Sequence, residues 1–202
     1  MIKFTLDKTG FPLIVSKEIG VAFHLIPITK VQFEEFISET NKYGDEWYET
    51  ILSINPRVSY KLFDIENYEH IFITGILPEE ALEFAKWLGK GFDLPTVKEW
   101  RQIYLLLQSL SPLPLSYNYN ILSYKADKIL KKLNKLFEKN LNMTLMEEGI
   151  VEWVRQEKEY IGLGAPRDSF LPNAWNPLKD EVRPINIKER LKYFGFRLVR
   201  RL

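Results

Sequence analysis

The side chains of this sequence with the strongest claim on chemistry gather between residues 163 and 193. Arg167, Asp168, Asn173, Trp175, Asn176, Asp180, Arg183, Asn186, Arg190 and Tyr193 lie there. Arg, Trp, Tyr and Asn are the types from which recognition surfaces are built. An arginine pair such as Arg167 and Arg183 suits an acidic group, which a guanidinium grips through two parallel hydrogen bonds. Catalytic chemistry is harder to assemble. The chain has no cysteine, so thiolate nucleophiles, thiolate metal sites and disulfides are excluded. Its two histidines, His24 and His70, are too few for a histidine-ligated iron centre. His24 sits in an apolar run and reads as a structural histidine. Ser169 has no histidine near it in sequence to act as base. Gly162-Leu163-Gly164 lacks the lysine and helix of a phosphate loop. No metal and no cofactor is expected.

These residues need a scaffold. Residues 2–7 and 12–15 alternate like two strands about the turn Lys8-Thr9-Gly10-Phe11-Pro12, and 20–26 reads as a third. Thr29 is a natural N-cap for a helix whose inner face is Val31, Phe33, Phe36 and Ile37. Residues 40–75 read as irregular, apart from a short strand at 71–75. Pro78 opens a second helix with Ala81, Leu82, Phe84, Ala85, Trp87 and Leu88 inward, closed by Gly89 or Gly91. Thr96 and Glu99 form a capping box for a third helix over 97–108. Residues 124–140 are amphipathic, with Ile129, Leu130, Leu133, Leu136 and Phe137 on one side and lysines on the other. Strands follow at 150–154 and 160–161, and a last one at 194–199. The whole reads as one α+β domain over residues 1–202, with a lysine-rich helical insertion at about 111–142.

Composition adds limits. The 202 residues are 46% hydrophobic and 14% aromatic, enough for a sizeable core without covalent staples. The net charge of +1 conceals an acidic part, residues 1–124, and a basic remainder. No aromatic residue interleaves the lysines of 124–140 at stacking positions, since Phe137 lies on the apolar side, so nucleic acid is not an expected partner. Nothing is long and apolar enough to cross a membrane, and a cytoplasmic location is expected.

Four segments, in order, resemble the superfamily of the formylglycine-generating enzyme, or sulfatase-modifying factor. They are Pro27-Ile28-Thr29 with Gln32, Phe33 and Phe36; Pro78 to Leu88; Leu94-Pro95-Thr96-Val97-Lys98-Glu99-Trp100; and Val151-Glu152-Trp153-Val154 followed by Gly195-Phe196-Arg197-Leu198-Val199. The resemblance implies a C-type-lectin-like fold: a small twisted antiparallel sheet, packed helices and long irregular loops. In active relatives two cysteines bind copper and oxidise a substrate cysteine. Residues 162–176, which match that stretch, contain neither, and the family's "R-G-G-S" turn is reduced to Gly162-Leu163-Gly164-Ala165. No metal ligands carry over.

Trp87, Glu99, Trp100, Glu152, Trp153 and Arg197 read as scaffold. Glu152 would accept backbone N–H bonds, and Arg197, alternating outward from Phe196, would pair with such a carboxylate. Arg167, Asp168, Asn173, Trp175, Asn176, Arg183 and Tyr193 are the candidate ligand-binding set, in a groove between 163–193 and the scaffold. The competing reading is a self-packed loop with Phe170, Leu171 and Trp175 buried. The expectation is a non-catalytic module that binds a protein or peptide, one that carries an acidic group for the arginines. The alternatives are an enzyme with displaced, cysteine-independent chemistry in the same groove, and an assembly subunit that docks through 124–140.

Overall fold

In the computed structural model, residues 3–54, 71–110, 124–137, 146, 150–164 and 175–202 are described. The opening hairpin pairs β1 (Lys3–Leu6) with β2 (Pro12–Ser16) in antiparallel register. Its turn is set by Asp7, whose Oδ1 accepts the backbone N–H of Thr9 and Phe11, while Gly10 takes the positive φ of 81° that the reversal needs. β3 (Val21–His24) continues the sheet.

Helix α1 (Lys30–Thr40) starts at the Thr29–Gln32 capping box and ends at Asn41 in the left-handed region. Helix α2 (Asp45–Ile54) falls in the stretch expected to be irregular. The expected strand at 71–75 reduces to one bridge, Phe72 with Thr29. Helix α3 (Pro78–Leu88) has Pro78 in its first turn and Gly89 as its C-cap. A two-residue strand, β4 (Phe92–Asp93), precedes α4 (Val97–Ser109), which is capped by Thr96 and Glu99 as the sequence predicts. Helix α5 (Tyr124–Phe137) follows, then the hairpin β5 (Val151–Gln156) and β6 (Glu159–Leu163).

The expected last strand splits in two. β7 (Phe194–Gly195) pairs in parallel with β5, and β8 (Val199–Arg201) pairs antiparallel with both β3 and β4. One extended segment therefore joins a five-stranded sheet, ordered β1-β2-β3-β8-β4, to a three-stranded one, ordered β6-β5-β7. Between its two pairings Phe196 and Leu198 accept the N–H of Ile28 and His24.

Two cores lie against these sheets, and β5 is buried against both. Val151 and Trp153 enter one core with Phe33, Phe84, Phe196 and Leu198; Ile150 and Val154 enter the other with Phe23, Trp100, Ile103 and Val199. Burial on both faces explains why the apolar residues Ile150, Val151, Trp153 and Val154 do not alternate with polar ones. The described apolar residues of α5, namely Ala126, Ile129, Leu130 and Leu133, are buried in that second group, so they are not a free docking stripe.

Candidate functional site

Glu152 is the one charged residue of β5 whose side chain points into the molecule, and it is fully buried together with Arg197. The guanidinium grips the carboxylate twice, Nε to Oε2 and Nη2 to Oε1, each at 2.7 Å. Its Nη1 donates to the carbonyls of His24 and Leu25 at 3.2 and 3.1 Å. The Trp100 indole donates to Glu152 Oε2 at 2.9 Å. Arg197 thus lies inward, not outward as alternation from Phe196 suggested, and Glu152 accepts side-chain donors instead of backbone N–H. The chain reversed its apparent sidedness because the 194–201 segment has sheet neighbours on both sides and no solvent face at Arg197. A buried charge pair persists only when each member is fully hydrogen-bonded, and this one is.

A second buried network sits beside it. Asp7 Oδ2 meets His24 Nε2 at 2.9 Å and accepts from Gln32 Nε2 at 3.0 Å; Thr9 adds N–H and O–H bonds to Oδ1. His24 Nδ1 faces the Leu198 carbonyl at 3.2 Å. Burial pushes the Asp7 carboxyl up, but the His24 ring and the Thr9 and Phe11 donors outweigh it, and the carboxyl lies below its usual value. His24 is the structural histidine expected from its apolar surroundings. Elsewhere, burial lowers the Lys30 amine to about 8 and raises the Glu34 carboxyl.

The remaining scaffold residues are placed as follows. Trp153 is fully buried and donates to the Ile76 carbonyl at 2.6 Å. Glu99 closes its capping box and pairs with Arg201. Trp87 is half-buried; its indole donates to Glu39 at 3.0 Å, and the Lys8 ammonium lies 4.1 Å over its ring. Gly162 and Gly164 are close-packing positions: a Cβ at Gly162 would lie 2.3 Å from Val151 and one at Gly164 would lie 2.7 Å from the Ile150 carbonyl.

Of the candidate ligand-binding residues, Arg167, Asp168 and Asn173 lie outside the described residues. Trp175 is half-buried, and its indole N–H, though buried, meets no acceptor among the described residues. Asn176 makes a turn, its Oδ1 accepting from Leu178 N–H at 3.0 Å. Arg183 is exposed yet paired, with Glu181 and Gln156 at 2.9 Å and Glu159 at 3.8 Å. The Tyr193 carbonyl accepts from Val151 N–H at 3.0 Å, and its ring carries the Lys192 ammonium at 5.3 Å. Arg190 grips Glu80 with two bonds of 2.7 and 2.6 Å and donates to the Gly75 carbonyl.

The 175–193 segment is therefore anchored at several points. Val182 and Gly162 exchange both backbone hydrogen bonds at 2.8 Å. Arg183 ties it to the β5–β6 hairpin and Arg190 to α3. Between these anchors residues 184–189 form a tip. Asn186 shapes it, its side chain accepting from Lys188 N–H and its carbonyl from Glu189 N–H. Ile185 is fully exposed, Ile187 is 43% exposed, and Leu178, on the turn of Asn176, is 39% exposed. These aliphatics were not among the expected site residues. The available signal was Pro184-Ile185-Asn186-Ile187, a turn-forming asparagine between two isoleucines in a polar stretch.

The chemistry of copper-binding relatives needs two thiolates, and this chain cannot supply one. Among the described residues no group of three His, Cys, Asp or Glu side chains is placed to hold a metal. The donor set does not fit copper, and no reaction step runs through it. Residues 19–102 match the family model of the Sulfatase-modifying factor enzyme 1-like domain. No curated protein and no solved structure gives a significant match.

Proposed function

We propose that this chain, which carries a domain of the sulfatase-modifying-factor superfamily, is a non-catalytic protein-binding module. The observation that carries the reading is the exposure of Ile185 and Ile187 on a tip held at both ends by Arg183 and Arg190, with Leu178 exposed on the preceding turn. Function concentrates on loops positioned by a rigid frame. Ile185, fully exposed, gains no burial in the free chain, whereas an interface would bury it together with the exposed parts of Ile187 and Leu178. Among the described residues, the buried groups Glu152, Asp7 and His24 are engaged in networks that hold strands and helices together. Of the two arginines expected to read an acidic ligand, Arg183 is already paired and Arg167 lies outside the described residues, so apolar contact leads in this reading and charge follows.

Two measurements test it. Incubation of the purified chain with copper(I) and a cysteine-containing peptide yields no formylglycine by mass spectrometry; its formation would overturn the reading. In native extracts the chain migrates in a complex larger than itself, and Leu178→Ser/Ile185→Ser/Ile187→Ser returns it to the monomer position. An unchanged size distribution for that variant would count against the loop as the binding element.

A further inference from the structure

We infer that the 184–189 tip docks into an apolar groove, bordered by carboxylates, on a folded partner protein. This rests on the binding-module reading and specifies the partner's chemistry. The first argument is shape. Ile185 is fully exposed, and Ile187 stands one residue away across Asn186. Side chains that project from a turn cannot enclose a small molecule, which needs a concave site that buries most of its surface. They suit a partner that supplies the concavity itself.

The second argument is charge. The exposed lysines nearest in sequence, Lys179 and Lys188, have no side-chain partner among the described residues, and Lys192 touches only the Tyr193 ring. On the acidic side, Glu181 is consumed by Arg101 and Arg183, and Asp180 accepts the Asn176 N–H. Glu189 is the one acidic residue of the tip itself. The cations left over lie in and beside the apolar tip in sequence, and complementarity asks the partner for an apolar centre and an acidic rim. A lipid surface is the competing occupant of an aliphatic, lysine-flanked loop. Glu189 would face the same anionic headgroups as the lysines, and no aromatic residue is present in 184–189 to sit at the interface. The protein groove is therefore favoured.

The third argument is rigidity. The Arg183 and Arg190 anchors and the Asn186 turn fix the tip before it binds, so docking costs little ordering entropy.

The full chain carrying a photocrosslinking amino acid in place of Ile187 tests this in its native cells. The expected result is a discrete adduct to one second protein, joined at an apolar segment flanked by Asp or Glu. Ile185→Asp lowers its yield by at least about tenfold, the scale of one lost buried aliphatic side chain. Lys179→Glu/Lys188→Glu lowers the yield several-fold, and both variants keep the parent melting temperature because these residues pack on nothing. An adduct insensitive to the lysine reversal, adducts only to another copy of the chain, or no adduct at all would overturn the inference. So would cosedimentation of the purified chain with phosphatidylcholine vesicles containing about one-third phosphatidylserine that Ile185→Asp abolishes. A second crosslinker at Leu105, exposed on α4, separates the two levels. Partner adducts from Leu105 but not from 187 would sink this surface and leave the module reading standing.

Discussion

Arg197 and Arg183 are the same residue type put to opposite uses. Arg197 is fully buried and bonds Glu152, the His24 carbonyl and the Leu25 carbonyl, where two sheets and α4 meet. Arg183 has a side chain 58% exposed and reaches several surface acceptors, one of them at 3.8 Å. Exposed ion pairs of that kind contribute little, about 0–1 kcal/mol, and serve here to fix where a loop sits. The interior arginine sets which fold forms, and the outer one sets what the fold presents. The contrast extends to apolar side chains: Phe196 and Leu198 beside Arg197 are buried, while Ile185, two residues from Arg183, faces water.

The largest effect comes from breaking the interior pair. Arg197→Met leaves the Glu152 carboxylate buried without its cation and lowers unfolding free energy by about 3–5 kcal/mol, read by urea denaturation. Glu152→Leu/Arg197→Met, which removes both charges, costs less than the single change. A single-variant loss below about 1 kcal/mol would erase the proposed contrast between the two arginines.

The neighbouring Asp7 network gives a smaller, pH-dependent effect. Its folded carboxyl lies below the unfolded value of 3.8. The unfolded chain therefore takes up the proton first as pH falls, and the stabilisation present above that value is lost as pH drops through the folded one. Melting temperature should decline on acidification below about pH 4, and Asp7→Asn should flatten that decline while lowering stability at neutral pH. A parent and variant with parallel acid profiles would mean the network carries no charge-dependent stability.

Much of this frame was legible in the sequence, because it is written in local signals. The Thr29 and Thr96 caps, Pro78 at a helix start and the apolar spacing of 124–137 each act over a few residues. What escaped depends on distant partners. β4 is two residues long and exists through β8. The 194–201 segment splits because β5 and β3 claim its two ends, and that split turns Arg197 inward. Helix α2 did have a signal, Asp45 and Glu46 in its first turn and Trp47 and Ile51 one turn apart. In the candidate site, what each arginine pairs with was not legible. The expected ligand-binding residue Arg183, and Arg190 beside it in the same segment, bind the loop to its own scaffold, since each lies across from carboxylates that sequence distance conceals, Glu159 and Glu80. The exposed isoleucines drew no reading from the sequence, because a lone aliphatic in a polar stretch does not by itself tell a buried from an exposed position.

The smallest expected effect on stability is the most direct test, because the account holds that the fold and the tip are separable. Equilibrium denaturation of Ile185→Ser should match the parent within about 0.5 kcal/mol, the range for surface substitutions that remove no packing. A loss of 2 kcal/mol or more, about the worth of a buried aliphatic side chain, would place this residue in the core and contradict the account.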